Sequence, residues 1–375
     1  MQETNVLNDK SEYKKLRDLL LKNGKHRYVE ELAELDSEQV RDLLKRIWAI
    51  HDHYTTILLA SLGGGVKSIQ LMLDGKRDTM PVESITHRIK DAESLKVKIA
   101  TKTLDAMSGR ADKKYIGINE GDYHTIITDL IGFRLVCRFP QEWENVDISL
   151  RGSDQQPGIF EDNPDKYVRD WTEDNPIKVG TKPFLVEKPK WYYLVSDSTS
   201  LKFPIEDDVE AISSDRFDAQ HTTLGYRSIH YVVNFEGKYA ELQLRTIAEH
   251  AWAECEHETV YKSNLPDGDK KDLLSVYAKL YANLIVPITE ITKRMYALTK
   301  STEASEENSL HSIVSTLLYV TGNLVENLKL HNRTGVTSRP NNPMESTPNN
   351  VAYDANTAAI YHAGDYMKIL KHSNT

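Results

Sequence analysis

The chain has 375 residues, with 56 acidic against 47 basic side chains, a formal net charge of -9 and a pI near 5.8. That balance disfavours a protein that coats nucleic acid generally, because such binding needs a basic surface; the best local patch is Lys113 and Lys114 with the lysine-rich stretch from Ser84. Two cysteines, Cys137 and Cys255, suit core positions better than a disulfide or zinc pair, and without a signal-like segment or an evident apolar run of about 18 residues the expectation is a cytoplasmic protein with no membrane partner.

Residues 8–62 read as helical, since Leu16, Leu19 and Leu20, then Val40, Leu43, Leu44 and Ile47, recur at helical spacing. Gly63, Gly64 and Gly65 are expected to break that pattern as a flexible or tight connection. The next informative stretch is SITHRIKDAESLKVKIA, Ser84 to Ala100. Arg88, Lys90, Ser94, Lys96 and Lys98 cannot all share one helical face, but an extended entry before the helix would let several converge on a polyphosphate. A solvated basic helix face is the alternative. ITDLIGFRLVCRF, Ile127 to Phe139, suits a buried strand entered by Asp129 and interrupted by Arg134. An aspartate there suits Mg2+, an ion that takes one or two carboxylates plus substrate phosphates.

Residues 140–220 are rich in Asp, Pro and aromatics, with a strand expected over Trp191 to Val195. They read as a surface elaboration, with a substrate-selecting element as the alternative. From Gly225 to Lys262 two strands meet at a turn marked by Glu236 and Gly237: Ile229, Tyr231 and Val233 share one face of the first, Leu242 and Leu244 one face of the second. Glu241, Gln243 and Arg245 then project from the opposite face, as a solvated edge or as a site. On the helix that follows, His250, Glu254 and His257 share a face, but no fourth zinc ligand is near, and a polar face covering the strand is the better account. Amphipathic helices are expected over 271–300 and Leu310 to Leu330, packing on the core or pairing with a second copy. Arg333 to Asn350 has linker composition, and Tyr353, Tyr361 and Tyr366 mark a short tail.

Five motifs in order, S-I-x-x-R-x-K, D-L-I-G-F-R, G-Y-R-S-I-H, E-L-Q-L-R-T and H-x-x-x-Y-K, resemble the synthetase domain of the RelA/SpoT family, including its small alarmone synthetases. The resemblance covers about residues 80–262. It implies an α+β fold, a mixed-sheet nucleotidyltransferase-like core surrounded by helices; outside it, apolar spacing and composition give the expectation of a helical N-terminal region over 1–79, a helical C-terminal extension over 263–332, and a linker and tail over 333–375. It implies transfer of the β,γ-pyrophosphate of ATP to the 3′-hydroxyl of a guanine nucleotide, with Mg2+ as cofactor. By the same resemblance Glu241 and Asp129 are catalytic and hold the metal. It likewise puts Arg88, Lys90 and Lys98 on the ATP phosphates and Tyr226 at the acceptor; Ser94 and Arg134 are expected to join the ATP site, and Arg227, His230, Gln243 and Arg245 the acceptor site, with a buried hydrogen-bonded histidine as the alternative for His230. Tyr226 is the ring that stacks on the acceptor base, so Phe is expected to serve in its place.

Family members that make alarmones commonly carry Lys and Asn shortly before the Gly-Tyr pair, where this chain has His221, Thr222, Thr223 and Leu224. The acceptor is therefore open: GDP, GTP, an adenine nucleotide, or the 3′ end of tRNA, as in toxic relatives. No His-Asp metal pair of the family's hydrolase half is evident. A catalytically silent nucleotide-binding regulator is the other class of reading, but joint retention of Glu241, Asp129, Arg88, Lys90, Lys98 and Tyr226 favours an enzyme.

Overall fold

The structure, a computed structural model, describes residues 2–153, 155–163, 182–193, 216–222, 225–261 and 269–300. The expected helix over Leu310 to Leu330, the linker, the tyrosine-bearing tail and much of 140–220 lie outside the described residues. The helices are α1 (Gln2–Lys22), α2 (His26–Glu34), α3 (Ser37–His53), α4 (Leu59–Asp74), α5 (Ala92–Met107), α6 (Tyr123–Ile126), α7 (Trp143–Arg151), α8 (Ile247–Glu256) and α9 (Asp269–Lys300). The strands are β1 (Ser84–Ile89), β2 (Ile131–Cys137), β3 (Gly152–Ser153), β4 (Gln156–Pro157), β5 (Phe184–Leu185), β6 (Lys190–Tyr193), β7 (Asp218–His221), β8 (Ser228–Phe235) and β9 (Lys238–Thr246).

The fold is α+β. One mixed sheet runs in the order β1-β2-β9-β8-β6-β7, with β5 on the far end of β8, while β3 and β4 pair separately. The apolar β2 lies between antiparallel β1 and parallel β9, the interior place its sequence requires. β8 and β9 form a hairpin whose two turn residues, Glu236 and Gly237, take φ of 52° and 77°. That is the backbone a two-residue turn needs to match strand twist. Ile229, Tyr231, Val233, Leu242 and Leu244 are buried, so the alternation seen in the sequence does set one face toward the core.

Helices α1 to α4 share one buried cluster with the sheet, Leu16, Leu20, Leu43 and Ile47 joining Ile131, Phe133 and Leu242. The three glycines do not break the chain: α4 runs straight through them. A Cβ on Gly65 would stand 3.0 Å from Lys238 Cδ and 3.3 Å from Ile131 Cδ1, so this glycine serves close approach of helix to sheet. The sequence reading also missed that the helical stretch Ser37–Asp74 is long and apolar enough to cross a membrane by length and composition. In this fold its Leu62, Val66, Ile69 and Leu73 belong to the core cluster. Of the two cysteines, Cys137 is buried and Cys255 is exposed, so only the first has its expected core place. Helix α9 lays Ala278, Ala282 and Ile285 on α8, where Trp252 Nε1 donates to Ala278 O at 2.8 Å.

The described parts of 140–220 are not a surface elaboration. They supply α7 and three strands of the main sheet, pinned by buried Asp147, which accepts hydrogen bonds from Arg151 Nε and Nη2, both at 2.7 Å, from Tyr231 Oη at 2.9 Å and from Arg216. Removing one member of a buried ion cluster strands the others, at a cost of about 3 to 5 kcal/mol. Asp147→Ala is therefore expected to lower unfolding stability by about that amount in denaturant titration, and a loss below about 1 kcal/mol contradicts this account.

Candidate active site

Directly opposed residues in neighbouring strands send their side chains to the same face of a sheet. The register aligns Thr86, Arg134, Gln243, His230, Lys190 and Asp218 across six strands, one polar row on the face away from the core. The adjacent row is Arg88, Gly132, Glu241 and Val232. Gly132 thus stands between Arg88 and Glu241, and a Cβ there would meet Arg88 Cγ at 3.4 Å and Nε at 3.5 Å. Arg88, Asp129, Gly132, Arg134, Glu241 and Gln243 line one cleft, with Thr86, His87 and Phe133 completing it.

On one side of this cleft Asp129, two residues before β2, holds Lys90 Nζ at 3.1 Å and Lys98 Nζ at 2.8 Å. Lys90 follows the extended β1 and Lys98 comes from α5, so strand-then-helix convergence does occur. Asp91 caps α5 by accepting from Ser94 N at 2.8 Å, which sets Ser94 exposed in the first turn. Lys96 turns away: it is buried, pairs with Glu93 at 2.7 Å and lies 4.2 Å from the centre of the Trp48 ring. Arg134 reaches Glu254 Oε1 of α8 at 2.7 Å, a partner the sequence did not announce. Burial by itself would raise Asp129, but Lys98 and Lys90 outweigh it and hold the carboxyl below its usual range.

On the other side five side chains close a ring. Arg245 Nη2 donates to Tyr226 Oη and to Gln243 Oε1, both at 2.6 Å. Tyr226 Oη meets His230 Nε2 at 2.8 Å, His230 Nδ1 meets Glu241 Oε1 at 3.1 Å, and Gln243 Nε2 donates to Glu241 Oε2 at 2.7 Å. Because the tyrosine hydroxyl accepts from Arg245, its own proton is free for His230 Nε2, which leaves Nδ1–H to donate to Glu241. Both arms therefore run from the Arg245 cation to the Glu241 anion. Burial alone would raise Glu241, yet its hydrogen bond to and electrostatic pairing with His230, then the bond from Gln243 and the charge of Lys98, bring it down to about 2.

The ring changes one expectation. Tyr226 is a member of a hydrogen-bonded network, with Arg245 Cζ 5.0 Å from its ring centre, so its hydroxyl is not idle. Arg227 stands outside the network: its protonation is disfavoured first by burial, with Glu249 of α8 opposing. His250 Nδ1 lies 4.0 Å from Glu254 Oε1 while His257 turns to Glu258 at 3.6 Å, and among the described residues no group of three or more metal-capable side chains occurs. For Mg2+ the donor set fits better at Asp129 and Glu241. Asp129 Oδ1 is buried with Lys98 Nζ 2.8 Å away, and a carboxylate oxygen so paired keeps a second lone pair for a cation beside substrate phosphates. Sequence reasoning missed Gly132 and Tyr192, the latter lying 4.5 Å from His230 ring to ring, and put Glu254 on the polar face over the strand without naming Arg134 as its partner.

Two outcomes follow from the ring. Tyr226→Phe is expected to cost about 1 to 3 kcal/mol, because Arg245 and His230 each lose a buried partner; equal stability in urea titration would refute the network. Glu241 has a folded pKa below its ordinary 4.5, so its contribution to stability is complete above that value and is lost as pH falls toward about 2. Stability measured across that window should fall less steeply in Glu241→Gln than in the wild type, and identical slopes would contradict the assignment.

Residues 194–265 match the family described as "Region found in RelA / SpoT proteins". No curated protein matches the chain in sequence. Among solved structures, small alarmone synthetase 1 from Bacillus subtilis is 18% identical with a TM-score of 0.39, over 65% of this chain and 96% of that one. The same enzyme bound to its product pppGpp is 18% identical with a TM-score of 0.36, over 71% and 100%. A GTP pyrophosphokinase family protein from Streptococcus pneumoniae is 19% identical with a TM-score of 0.35, over 63% and 90%. Arg88, Lys90, Lys98 and Asp129 lie before the matched stretch, and their place rests on the geometry above. Tyr226, His230, Glu241, Gln243 and Arg245 lie within the stretch that matches that family description.

Proposed function

We propose that the chain is an ATP-dependent pyrophosphokinase that moves the β,γ-pyrophosphate of ATP to the 3′-hydroxyl of a guanine nucleotide, giving a (p)ppGpp-type product and AMP. One observation carries the reading: an ionised Glu241 faces Arg88 across Gly132, in the cleft that also holds Asp129 with Lys90 and Lys98 beside it. Arg88, Lys90 and Lys98, with Arg134 once released from Glu254, supply the positive charge that polyphosphate oxygens need. Ser94, in the first turn of α5, adds a hydroxyl near the positive end of that helix.

Glu241 receives the acceptor hydroxyl, and its proton passes to the carboxylate as the new O–P bond forms and AMP leaves. A carboxylate with a pKa of about 2 is a weak base, so its main task is to orient the hydroxyl, which suits a reaction that depends on positioning and charge neutralisation. His230 and Gln243 hold Glu241 from two sides, and Arg245 and Tyr226 hold them. Asp129 and Glu241 are the residues that would bind Mg2+, an ion that neutralises charge on transferring phosphates.

The tRNA 3′ end as acceptor is the second reading, favoured by one detail. Where alarmone-making relatives place Lys and Asn, Thr222 spends its hydroxyl on the carbonyls of Tyr193 and Tyr226. γ-Labelled ATP incubated separately with GDP, GTP, ATP and bulk tRNA separates the acceptors, and label transferred to none of them contradicts the enzyme reading. Glu241→Gln is expected to lower transfer by roughly 10²- to 10⁴-fold with the fold intact by circular dichroism. Arg88→Ala should raise the KM for ATP far more than that for the acceptor, and an unchanged KM for ATP would remove Arg88 from the donor site.

A further inference from the structure

The helices ahead of the sheet reach the donor side of the cleft. Between α3 and α4 the helix widens for one turn, Tyr54–Leu58, where Leu59 N donates to Tyr54 O, five residues back. Turns of this kind are rare and recur at functional sites. This one begins at Tyr54, a fully buried side chain whose hydroxyl donates to the carbonyl oxygen of Lys90.

Lys90 lies at the corner between β1 and α5 and is held at three points. Its N–H donates to Leu130 O at 2.9 Å, its carbonyl accepts from Tyr54, and its ammonium stands 3.1 Å from Asp129 Oδ2. Because Asp129 and Leu130 are consecutive, the corner and the entry to β2 are locked against each other. Burial disfavours the Lys90 cation and Asp129 opposes that effect, so the charge Lys90 offers a phosphate depends on where the corner sits. Burial, then the carboxylates of Asp91 and Asp129, push the Tyr54 phenol up to about 12, which keeps it a proton donor.

The neighbouring residue grips the other segment of the donor side. His53 Nδ1 lies 3.1 Å from Tyr123 Oη in α6, the helix that leads into Asp129, and the Tyr123 ring stands edge-on to Tyr54 at 6.5 Å. One helical turn therefore touches both chain segments that meet at the Lys90 and Asp129 pair.

We infer that Tyr54 is a positioning residue of the donor site: through the Lys90 carbonyl it sets where the Lys90 ammonium stands against Asp129, and so how tightly the cleft holds a polyphosphate. The helical region ahead of the sheet then serves the site as well as the core. The inference rests on the proposed function in placing Lys90 on the donor phosphates, and it adds a residue that touches neither substrate.

Calorimetric titration of the full chain with a non-hydrolysable ATP analogue and Mg2+ reads donor binding apart from transfer. Tyr54→Phe keeps the ring and loses only the hydroxyl, and it is expected to weaken the analogue about tenfold. In a Lys90→Met background the same change should cost less than about twofold, since a residue that acts through another is not additive with it. Should Tyr54→Phe fail to fold, fluorotyrosine in place of Tyr54 keeps the hydroxyl, and its ¹⁹F signal is expected to move as the analogue saturates the wild-type cleft. Unchanged analogue binding in Tyr54→Phe, whether or not stability falls, a fully additive loss with Lys90→Met, or a ¹⁹F signal that ignores the analogue each overturns the inference. The expected losses in a protein that binds the analogue but transfers nothing uphold it and contradict the proposed reaction instead, whereas a wild type that binds no analogue overturns both.

Discussion

The parallel pairing of β2 with β9 is the constraint on which the site depends. It sets Gly132 opposite Glu241 and Arg134 opposite Gln243, and with β1 on the other edge of β2 it brings Arg88 to the same row. Side chains alternate with period two, so a slip of one residue would send Glu241 into the core and Leu242 into the cleft. That alternative is strongly excluded by the apolar face: Leu242, Leu244, Phe133 and Leu135 are all nearly or fully buried. The hydrophobic pattern that folds the sheet is also what holds the polar row in place.

The two carboxylates of the cleft are kept ionised by different means, and the difference assigns their tasks. Asp129 is held down by two lysine cations that are themselves phosphate ligands by charge, so polyphosphate and aspartate compete for the same partners. Glu241 is held by a histidine and an amide, partners that orient it without competing for phosphate. The Arg245 cation feeding both arms is buried, so its field is little screened by solvent. Helix α8 closes the cleft with Glu254 on Arg134, and α9 covers α8 through Trp252.

Much of this was legible in the sequence. Period-two alternation in Ile229 to Val233 and Leu242 to Leu244 gave the strands, and it alone put Glu241, Gln243 and Arg245 together. An extended entry before the helix within Ser84 to Ala100 let several of its basic residues be expected to converge, as Lys90 and Lys98 do on Asp129. What failed did so for physical reasons. Gly63 to Gly65 looked like a break because glycine lowers helix propensity, but tight packing on Ile131 and Lys238 overrode propensity. The interval 140–220 looked peripheral because, although a strand near Trp191 is expected and is present, sequence does not show what it pairs with, and only pairing with β8 shows Tyr192 beside His230. The partnership of Arg134 with Glu254, 120 positions apart in sequence by the numbers they carry, has no local signal at all.

The most direct measurement follows phosphorus through one reaction. With unlabelled ATP, GDP and Mg2+, ³¹P nuclear magnetic resonance is predicted to show AMP and a 3′-pyrophosphorylated guanine nucleotide rising in equal amounts from the wild type. Formation of ADP with inorganic phosphate, or an unchanged spectrum with both GDP and tRNA as acceptor, would contradict a cleft built to pass pyrophosphate from the Asp129 side to the Glu241 side.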